Sequence, residues 1–423
     1  MIRKSNFIKR SAALSFCLFT LITTSFATPY FSGYAGVGGT LKNLDGSTAF
    51  LLDGFFSGQF DITQSFIIRT NASLYTTSSI FSNFTFKNKE SYFNLDEFSL
   101  TYRNYFGSVT QFLAAFAGDY DPIGSDLFLQ RMFGIDSFAS KLTDTISGIS
   151  KATIFDNSGL GIAYYLKLPA NTALGLYGYY NAAEILSTNT TSTSDEDLAS
   201  LNADLRFAGA WSQVALDFVF GCNMPIEKTY TNENGEEVKV VVLIQRADLH
   251  MGLTAFFGNT NSSSLLFQAG ITQLIVDKKT LANQSALSLD NVFLFIEPKF
   301  VTKNLIFSVA LFNMPSDMLN SLYYISNPTG INLTFSSPWI VISGNRNQFG
   351  GMITISSENS MDTLLQDASN LVSGLDLDII PYGTTKFTSG TLNYSVQISA
   401  LGITSVKGFF ESMVARISYK TMF

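Results

Sequence analysis

The sequence predicts an all-β protein, a transmembrane antiparallel up-and-down β-barrel of about 16–18 strands with alternating apolar and polar positions. Three observations favour this fold class. Many segments alternate with a period of two, the chain carries little charge, and short links between strand candidates alternate with long ones. A closed sheet fits all three observations, because lipid offers no hydrogen-bond partners to backbone groups at an open sheet edge.

Alternation with a period of two is clearest in a few segments. In residues 245–255, the odd positions from Ala247 to Ala255 are apolar and the even positions include Arg246, Asp248 and His250. Residues 65–74 and 159–167 show the same pattern. Because successive side chains of a β-strand point to opposite faces, each segment is predicted to collect its charged residues on one face.

The composition favours lipid as the partner of the apolar face. Charged residues make up 14% of the chain and aromatic residues another 14%, whereas about 25% of residues are charged in typical globular proteins. After residue 27 no apolar run approaches the roughly 18 residues of a membrane-spanning helix, so helical spans are excluded. Basic patches are absent, which argues against nucleic acid as a partner.

Residues 1–27 are predicted to be a cleaved secretory signal, followed by a single barrel domain over residues 28–423. A positive start without acidic residues precedes an apolar stretch over 12–22 and the small-x-small site Ser25-Phe26-Ala27. A lipoprotein signal ending at Cys17 is the alternative. Removal of the signal changes the formal net charge from −7 to −11 and leaves Cys222 as the single cysteine. An internal disulfide is therefore not expected.

The links between strand candidates fall into two length classes. Short links are predicted near residues 61–64, 104–108, 168–172, 209–212, 301–304 and 344–347. Long links are predicted near residues 76–91, 119–156, 182–198, 223–237, 275–287, 313–329 and 357–371. This alternation predicts a barrel with tight turns at one end and longer loops at the other. The first strand candidate starts at Tyr30, which leaves no room for an N-terminal plug domain.

The last strand candidate, residues 413–423, carries a family resemblance. Phe423, Tyr419 and Ile417 lie on one face of a period-two pattern that ends on an aromatic residue, although Thr421 departs from the apolar preference. The segment resembles the assembly signal of bacterial outer-membrane β-barrels, of the porin or diffusion-channel type. The resemblance implies export through the periplasm, insertion into outer-membrane lipid by the barrel assembly machinery, and passage of small solutes. A homo-oligomer is left open.

Residues 119–156 form the longest link and the third on the long-loop side. Loops longer than about 12–15 residues are usually functional or disordered, and the apolar composition of this link argues against disorder. A helix or two is predicted over residues 125–149, with Ser125 as N-cap. The position resembles the constriction loop of classical porins, which implies that Asp119, Asp121, Asp126 and Arg131 face the lumen. A loop that caps the barrel mouth is the alternative.

Charged residues on the polar strand faces are predicted to line the lumen, because a charge on the lipid face costs about 2–4 kcal/mol near the midplane. The predicted lining residues are Arg69, Arg103, Lys167, Arg206, Arg246, Asp248, His250, Glu297 and Lys299. Both signs are present, so no ion preference follows. The alternative for each residue is a structural pair across the lumen.

Enzymatic function is not predicted. His250 is the only histidine, and its neighbour Asp248 gives a base and a partner without a nucleophile. One histidine and one mature cysteine are too few nitrogen and sulfur ligands for a typical metal site, so no metal is predicted. No cofactor motif is present. The first hypothesis is a passive pore for small solutes. The rivals are a closed barrel that acts through its surface loops, such as residues 187–197 and 237–243, and a channel for hydrophobic compounds.

Overall fold

A computed structural model describes the chain from residue 30 onward, with gaps. The described residues are 30–44, 47–77, 91–135, 138–145, 155, 157–181, 199–231, 237–241, 246–259, 261–277, 289–319, 322–359, 374–401 and 406–423. The predicted signal, residues 1–27, lies outside them. So does the surface-loop candidate over residues 187–197.

Eighteen strands form a closed antiparallel barrel, which confirms the predicted fold class and the upper end of the predicted strand number. The first half comprises β1 (Tyr30–Leu44), β2 (Ser47–Asp61), β3 (Phe66–Thr76), β4 (Ser91–Phe106), β5 (Val109–Tyr120), β6 (Asn157–Leu168), β7 (Thr172–Asn181), β8 (Ser200–Ala210) and β9 (Val214–Pro225). A separate hairpin, β10 (Glu227–Thr231) and β11 (Glu237–Val241), follows β9 and pairs only with itself among the described strands.

The second half of the barrel begins at β12, which pairs with β9. Its strands are β12 (Arg246–Gly258), β13 (Ser264–Asp277), β14 (Val292–Val301), β15 (Ile306–Asn313), β16 (Thr329–Ser336), β17 (Ile340–Ile342), β18 (Asn345–Ser357), β19 (Leu375–Lys386), β20 (Thr391–Ser399) and β21 (Met413–Met422). The strands β16 and β17 both pair with β18 and share one barrel position. Short helical turns cover Asp126–Phe128, Leu129–Phe133, Lys141–Thr143, Leu289–Asn291, Ser316–Leu319 and Val406–Glu411.

The barrel closes where β21 pairs with β1. Beyond the last strand pair, the amide of Gly33 donates to the carbonyl of Phe423 at 2.8 Å, and the amide of Phe423 donates back at 2.9 Å. The Phe423 ring stacks on Phe31 and Phe56, with centroids 5.0 and 6.0 Å apart. The predicted last strand therefore joins the first one through backbone bonds and through an aromatic cluster on the outer face.

The two ends of the barrel differ in the length of their connections. At the short-turn end, tight turns such as Gly107-Ser108 join consecutive strands, and Ala170, Asn171 and Ser343 adopt positive φ angles of 58°, 51° and 52°. The other connections are longer, except the tight link between β1 and β2. The sequence analysis missed that link, although its residues, Asp45 and Gly46, are a strong hairpin signal. It also missed the turn between β12 and β13, although residues 259–263 are all Asn, Thr or Ser.

The two faces of the sheet have opposite chemistry. Outward side chains are large, apolar and exposed, as at Leu160 (67%) and Ile162 (62%). Inward positions bury charged and aromatic residues such as Arg206 and Phe295, both at 0% exposure. An apolar outer surface around a closed sheet is what a bilayer accommodates.

No helix in the described part of the chain is long and apolar enough to cross a membrane.

Replacing Phe423 by alanine is expected to lower the yield of folded barrel. The change removes two ring contacts at the closing seam, each worth about 0.5–1.5 kcal/mol. Folded and unfolded protein can be separated by heat-dependent gel mobility after refolding into lipid vesicles. The matched control is Phe300→Ala, which removes an exposed outward ring of β14. Equal yields for the two variants would contradict a special role of the seam.

Candidate constriction of the lumen

The link from β5 to β6 folds into the barrel. Its described residues, 121–135, 138–145 and Phe155, are called the inner segment below. Asp121 forms an ion pair with Arg69 of β3 at 3.2 Å, and the amide of Ile123 donates to the hydroxyl of Tyr177 on β7 at 3.0 Å. Both wall residues are buried and face inward. The inner segment therefore contacts two different parts of the wall within three residues of leaving β5.

Gly124 sets the path of the inner segment. Its φ angle is +88°, a conformation that L side chains rarely adopt. A Cβ at this position would overlap the carboxyl group of Asp217, which faces inward from β9. Only glycine satisfies both the backbone angle and the close approach to the wall.

The helix predicted over residues 125–149 is replaced by short turns. Ser125 is the predicted N-cap, and its hydroxyl accepts from the amide of Phe128 at 3.1 Å. The α-turn Asp126–Phe128 continues into the π-helical turn Leu129–Phe133 and ends at Gly134, whose φ angle is 68°. The predicted helix or two is therefore present only as short helical turns among the described residues, because the apolar residues of the segment pack in several directions against the surrounding wall.

The middle of the inner segment contacts the wall at β2 and β6. Arg131 donates to the hydroxyl of Ser57 on β2 at 3.1 Å and lies 3.8 Å from the carboxylate of Asp121. Lys167 of β6 donates to the carbonyl of Met132 at 2.5 Å. The charges of Arg131, Asp121 and Arg69 therefore tie the inner segment to itself and to β2 and β3, and Lys167 ties it separately to β6.

Two apolar clusters connect the inner segment to inward-facing wall residues. The first contains Leu129, Phe138 and Leu142 of the segment, and Phe138 stacks on Phe256 of β12 at 5.2 Å. Its other buried members are Ala210, Ala215, Leu266, Phe295, Ala310, Phe312, Met314, Tyr324, Ile325, Met352, Ile380 and Tyr382. The second contains Ile67, Phe112, Ala114, Phe116, Tyr120, Ile123, Phe128, Ala163, Tyr165, Ala173, Tyr177, Tyr179 and Ala208. Much of the inner wall is thus aromatic or aliphatic.

The segment returns to β6 through Phe155. Its carbonyl accepts from Arg206 of β8 at 2.7 Å, and its ring lies 5.8 Å from that of Phe293. Gly252 leaves the space that the Phe155 ring occupies. Arg206 also donates to Asn157 at 2.7 Å, so one buried guanidinium holds both the end of the segment and the start of β6.

His250 contacts a different carboxylate from the one that sequence proximity suggested. Its Nε2 atom lies 3.0 Å from Asp204 of β8, while Asp248 accepts from Gln273 at 3.0 Å. Gly221 lies between the two strands in the same row, and a side chain there would overlap both His250 and Asp204. Within the described residues, no group of His, Cys, Asp and Glu is arranged to hold a metal ion.

A second link, residues 314–328 between β15 and β16, joins the inner segment. Thr145 forms an isolated antiparallel bridge with Leu322, and the amide of Tyr323 donates to the carbonyl of Asp144 at 3.0 Å. The Tyr323 hydroxyl donates to Asp53 of β2 at 3.0 Å. Burial, followed by the nearby charge of Asp53, raises the pKa of Tyr323, so its phenol stays protonated.

Sequence reasoning recognised the 314–328 link but assigned it no role in the lumen. The guanidinium of Arg416 lies over the rings of Tyr323 and Tyr324, at 5.5 and 6.0 Å. The adjacent tyrosines and the apolar residues around them were the available signal, because a buried aromatic pair requires a packing surface.

The remaining predicted residues are distributed along the inner wall. Arg103 donates to the carbonyl of Gln64 at 2.7 Å near the short-turn end. Glu297 of β14 accepts from Ser308 at 2.7 Å, and Lys299 lies on the same face of that strand. The side chain of Arg246 lies outside the described part of the structure.

Two predicted acidic residues of the constriction differ in position. Asp126 is buried in the first helical turn of the inner segment. Asp119 belongs to β5 and is exposed on its outward face. The prediction for Asp119 was wrong because β5 extends to Tyr120, so the strand parity turns this side chain away from the lumen.

Comparison with known proteins gives structural likenesses only. No protein-family model matches the chain, and no curated protein matches it. The Salmonella typhi OmpF complex with daunomycin is 9% identical, with a TM-score of 0.41 over 93% of this chain and 97% of that chain. A triple mutant of Rhodopseudomonas blastica porin is 12% identical, with a TM-score of 0.40 over 94% and 100%. Vibrio cholerae OmpT is 10% identical, with a TM-score of 0.37 over 95% and 100%. Because these identities and TM-scores are low, the barrel assignment rests on the strand pairing observed in this protein.

Gly124→Ala is expected to loosen the inner segment more than Gly134→Ala. Both glycines have positive φ angles, but a Cβ at Gly134 would meet nothing within 4 Å. The shared backbone strain is about 1–2 kcal/mol, and overlap with Asp217 adds about 1–3 kcal/mol at Gly124. Limited proteolysis of the folded protein in vesicles measures the exposure of the segment. Equal cleavage rates would show that the contact with Asp217 does not matter.

Arg206→Met is expected to destabilise the barrel by about 3–5 kcal/mol, because the change removes a buried cationic partner of Asp204 and the hydrogen bonds to Phe155 and Asn157. Asp204 lies 3.6 Å from this guanidinium and keeps its contact with His250. The double variant Arg206→Met/Asp204→Leu is expected to lose less, because it also removes the buried carboxylate that the guanidinium compensates. Urea unfolding in lipid measures both losses. A double variant as unstable as the single one would refute the ion-pair interpretation.

Proposed function

We propose that the protein is an outer-membrane channel through which small solutes pass passively, and that the inner segment narrows its lumen. One observation carries the proposal. The inner segment contacts inward-facing residues of β2, β3, β6, β7, β9, β12 and β19. These strands lie on different sides of the barrel, so the segment crosses the interior instead of covering the mouth.

The charges proposed to face passing solutes are those beside the second link. Asp53 and Arg416 face inward, are half-buried and contact Tyr323 of that link. In contrast, Arg69, Lys167 and Arg206 hold the inner segment through direct contacts. Both signs remain along the proposed passage, and charged rings of one sign are what sets ion preference in channels. A weakly selective passage is therefore the expectation.

A channel for hydrophobic compounds is the second candidate. The two apolar clusters on the inner wall favour it, because their aromatic and aliphatic residues replace the charges expected of a purely aqueous pore. Vesicle-swelling rates with neutral sugars and with uncharged aromatic solutes of similar size separate the candidates. Faster permeation by sugars supports the first, and faster permeation by aromatic solutes supports the second.

Deletion of residues 125–150 is expected to raise single-channel conductance at least about twofold, because the narrowest cross-section limits the current. Purified protein in planar bilayers provides the measurement, and heat-dependent gel mobility shows that the variant is folded. The matched control deletes residues 187–197 in another long link and is expected to leave the conductance unchanged.

Two outcomes would overturn the proposal. Unchanged conductance after deletion of residues 125–150 would mean that the segment does not limit the passage. No conductance steps from either folded protein would indicate a closed barrel, which is the expectation for a surface-loop function.

A further inference from the structure

A cleft of about 400 Å³ opens at the short-turn end of the lumen. Its apolar surface is formed by Ile135 and Phe138 of the inner segment and by Ala210, Ala215 and Phe256 of the wall. The stacked rings of Phe138 and Phe256 lie at the junction of the two sides. The volume is within the range of roughly 300–1,000 Å³ that is typical of small-molecule sites.

The described part of the rim is polar. It is formed by turn residues, among them Asn171, Ser212, Asn259 and Asn261. None of the described residues that line the cleft is ionisable. An ionised molecule would lose hydration there without a compensating charge. A neutral molecule with an aromatic body and a hydrogen-bonding group fits both surfaces, because rings pack favourably on aromatic residues and the rim amides both donate and accept.

We propose that this cleft binds small, uncharged aromatic molecules that enter from the short-turn end, an inference that rests on the proposed channel function and names its solute class. A ligand in the cleft contacts the inner segment and the wall together. Occupancy therefore stabilises the packing of Phe138 on Phe256, and the bound molecule lies next to the element that narrows the lumen.

The chain contains a reporter in the turn that borders the cleft. It has two tryptophans. Trp211 lies in that turn, and its ring packs over Gly209 on the outward face of β8. Trp339 lies elsewhere, beside Arg346 and Lys386 at 5.5 and 4.8 Å. Trp339→Phe therefore leaves a protein whose fluorescence reports on the cleft, and Trp211→Phe leaves its matched control.

The probe is 4-nitrobenzamide, a neutral aromatic amide that quenches tryptophan fluorescence, and 4-nitrobenzoate is its charged counterpart. In vesicles, 4-nitrobenzamide is expected to quench Trp211 with saturation and Trp339 only in proportion to its concentration. Phe138→Ala is expected to raise the half-saturating concentration about tenfold through the lost ring contact. Phe106→Ala, at an exposed ring beside another short turn, is expected to leave it unchanged.

A gain-of-binding variant protects the test against folding defects. Ser212 is exposed at the rim, and Ser212→Lys is expected to give 4-nitrobenzoate saturable quenching of Trp211. Non-saturating quenching of Trp211 by 4-nitrobenzamide in a protein that conducts ions would overturn the cleft and leave the channel standing. Saturable quenching without conductance would support the binding site and overturn the channel function.

Discussion

The pairing of β1 with β21 is the constraint on which the rest of the structure depends. An open edge would leave unpaired amides and carbonyls in lipid, where each costs several kcal/mol. The seam therefore has backbone bonds up to Phe423, and outward rings cover it. Once the sheet is closed, its outer face must be apolar, so nearly every charged strand residue is directed to the interior. Inside the barrel, the charges that bulk water does not reach then need ion-pair or hydrogen-bond partners from the protein.

The inner segment supplies partners to some of these charges, and it also fills part of the barrel interior. A barrel of this size encloses more space than its own side chains fill. The segment occupies that space with two kinds of contact: apolar packing around Phe138, and polar contacts, which are the ion pair of Asp121 with Arg69 and the hydrogen bond from Arg206 to the carbonyl of Phe155. The two kinds are interdependent, because a buried ion pair contributes little unless its geometry is held by packing. Glycines at positions 124, 221 and 252 provide the close approach that this packing needs.

Sequence alone predicted the fold class and the inward direction of residues such as Arg69, Lys167 and Arg206, because a period of two survives in any register. It did not predict partners. Asp204 and His250 are 46 residues apart in sequence and meet only because β8, β9 and β12 align them across Gly221. A β-bulge between Asn71 and Ala72 shifts the register in a way that composition does not encode. The helix over residues 125–149 failed for a related reason, since tertiary contacts outweighed its local periodicity.

The placement of the charges changes what they are expected to do. Sequence reasoning treated Arg69, Asp121 and Arg131 as candidates for ion selection, and the structure places them in one buried network with Ser57 and Tyr120. A group bound on several sides has little freedom to coordinate a passing ion. Substitution of Arg69, Asp121 or Arg131 is therefore expected to displace the inner segment more than it alters the charge preference of the passage. We therefore expect the chemistry offered to solutes to be set by two other groups: the half-buried charges beside Tyr323, and the cleft below Phe138, whose described lining residues are uncharged.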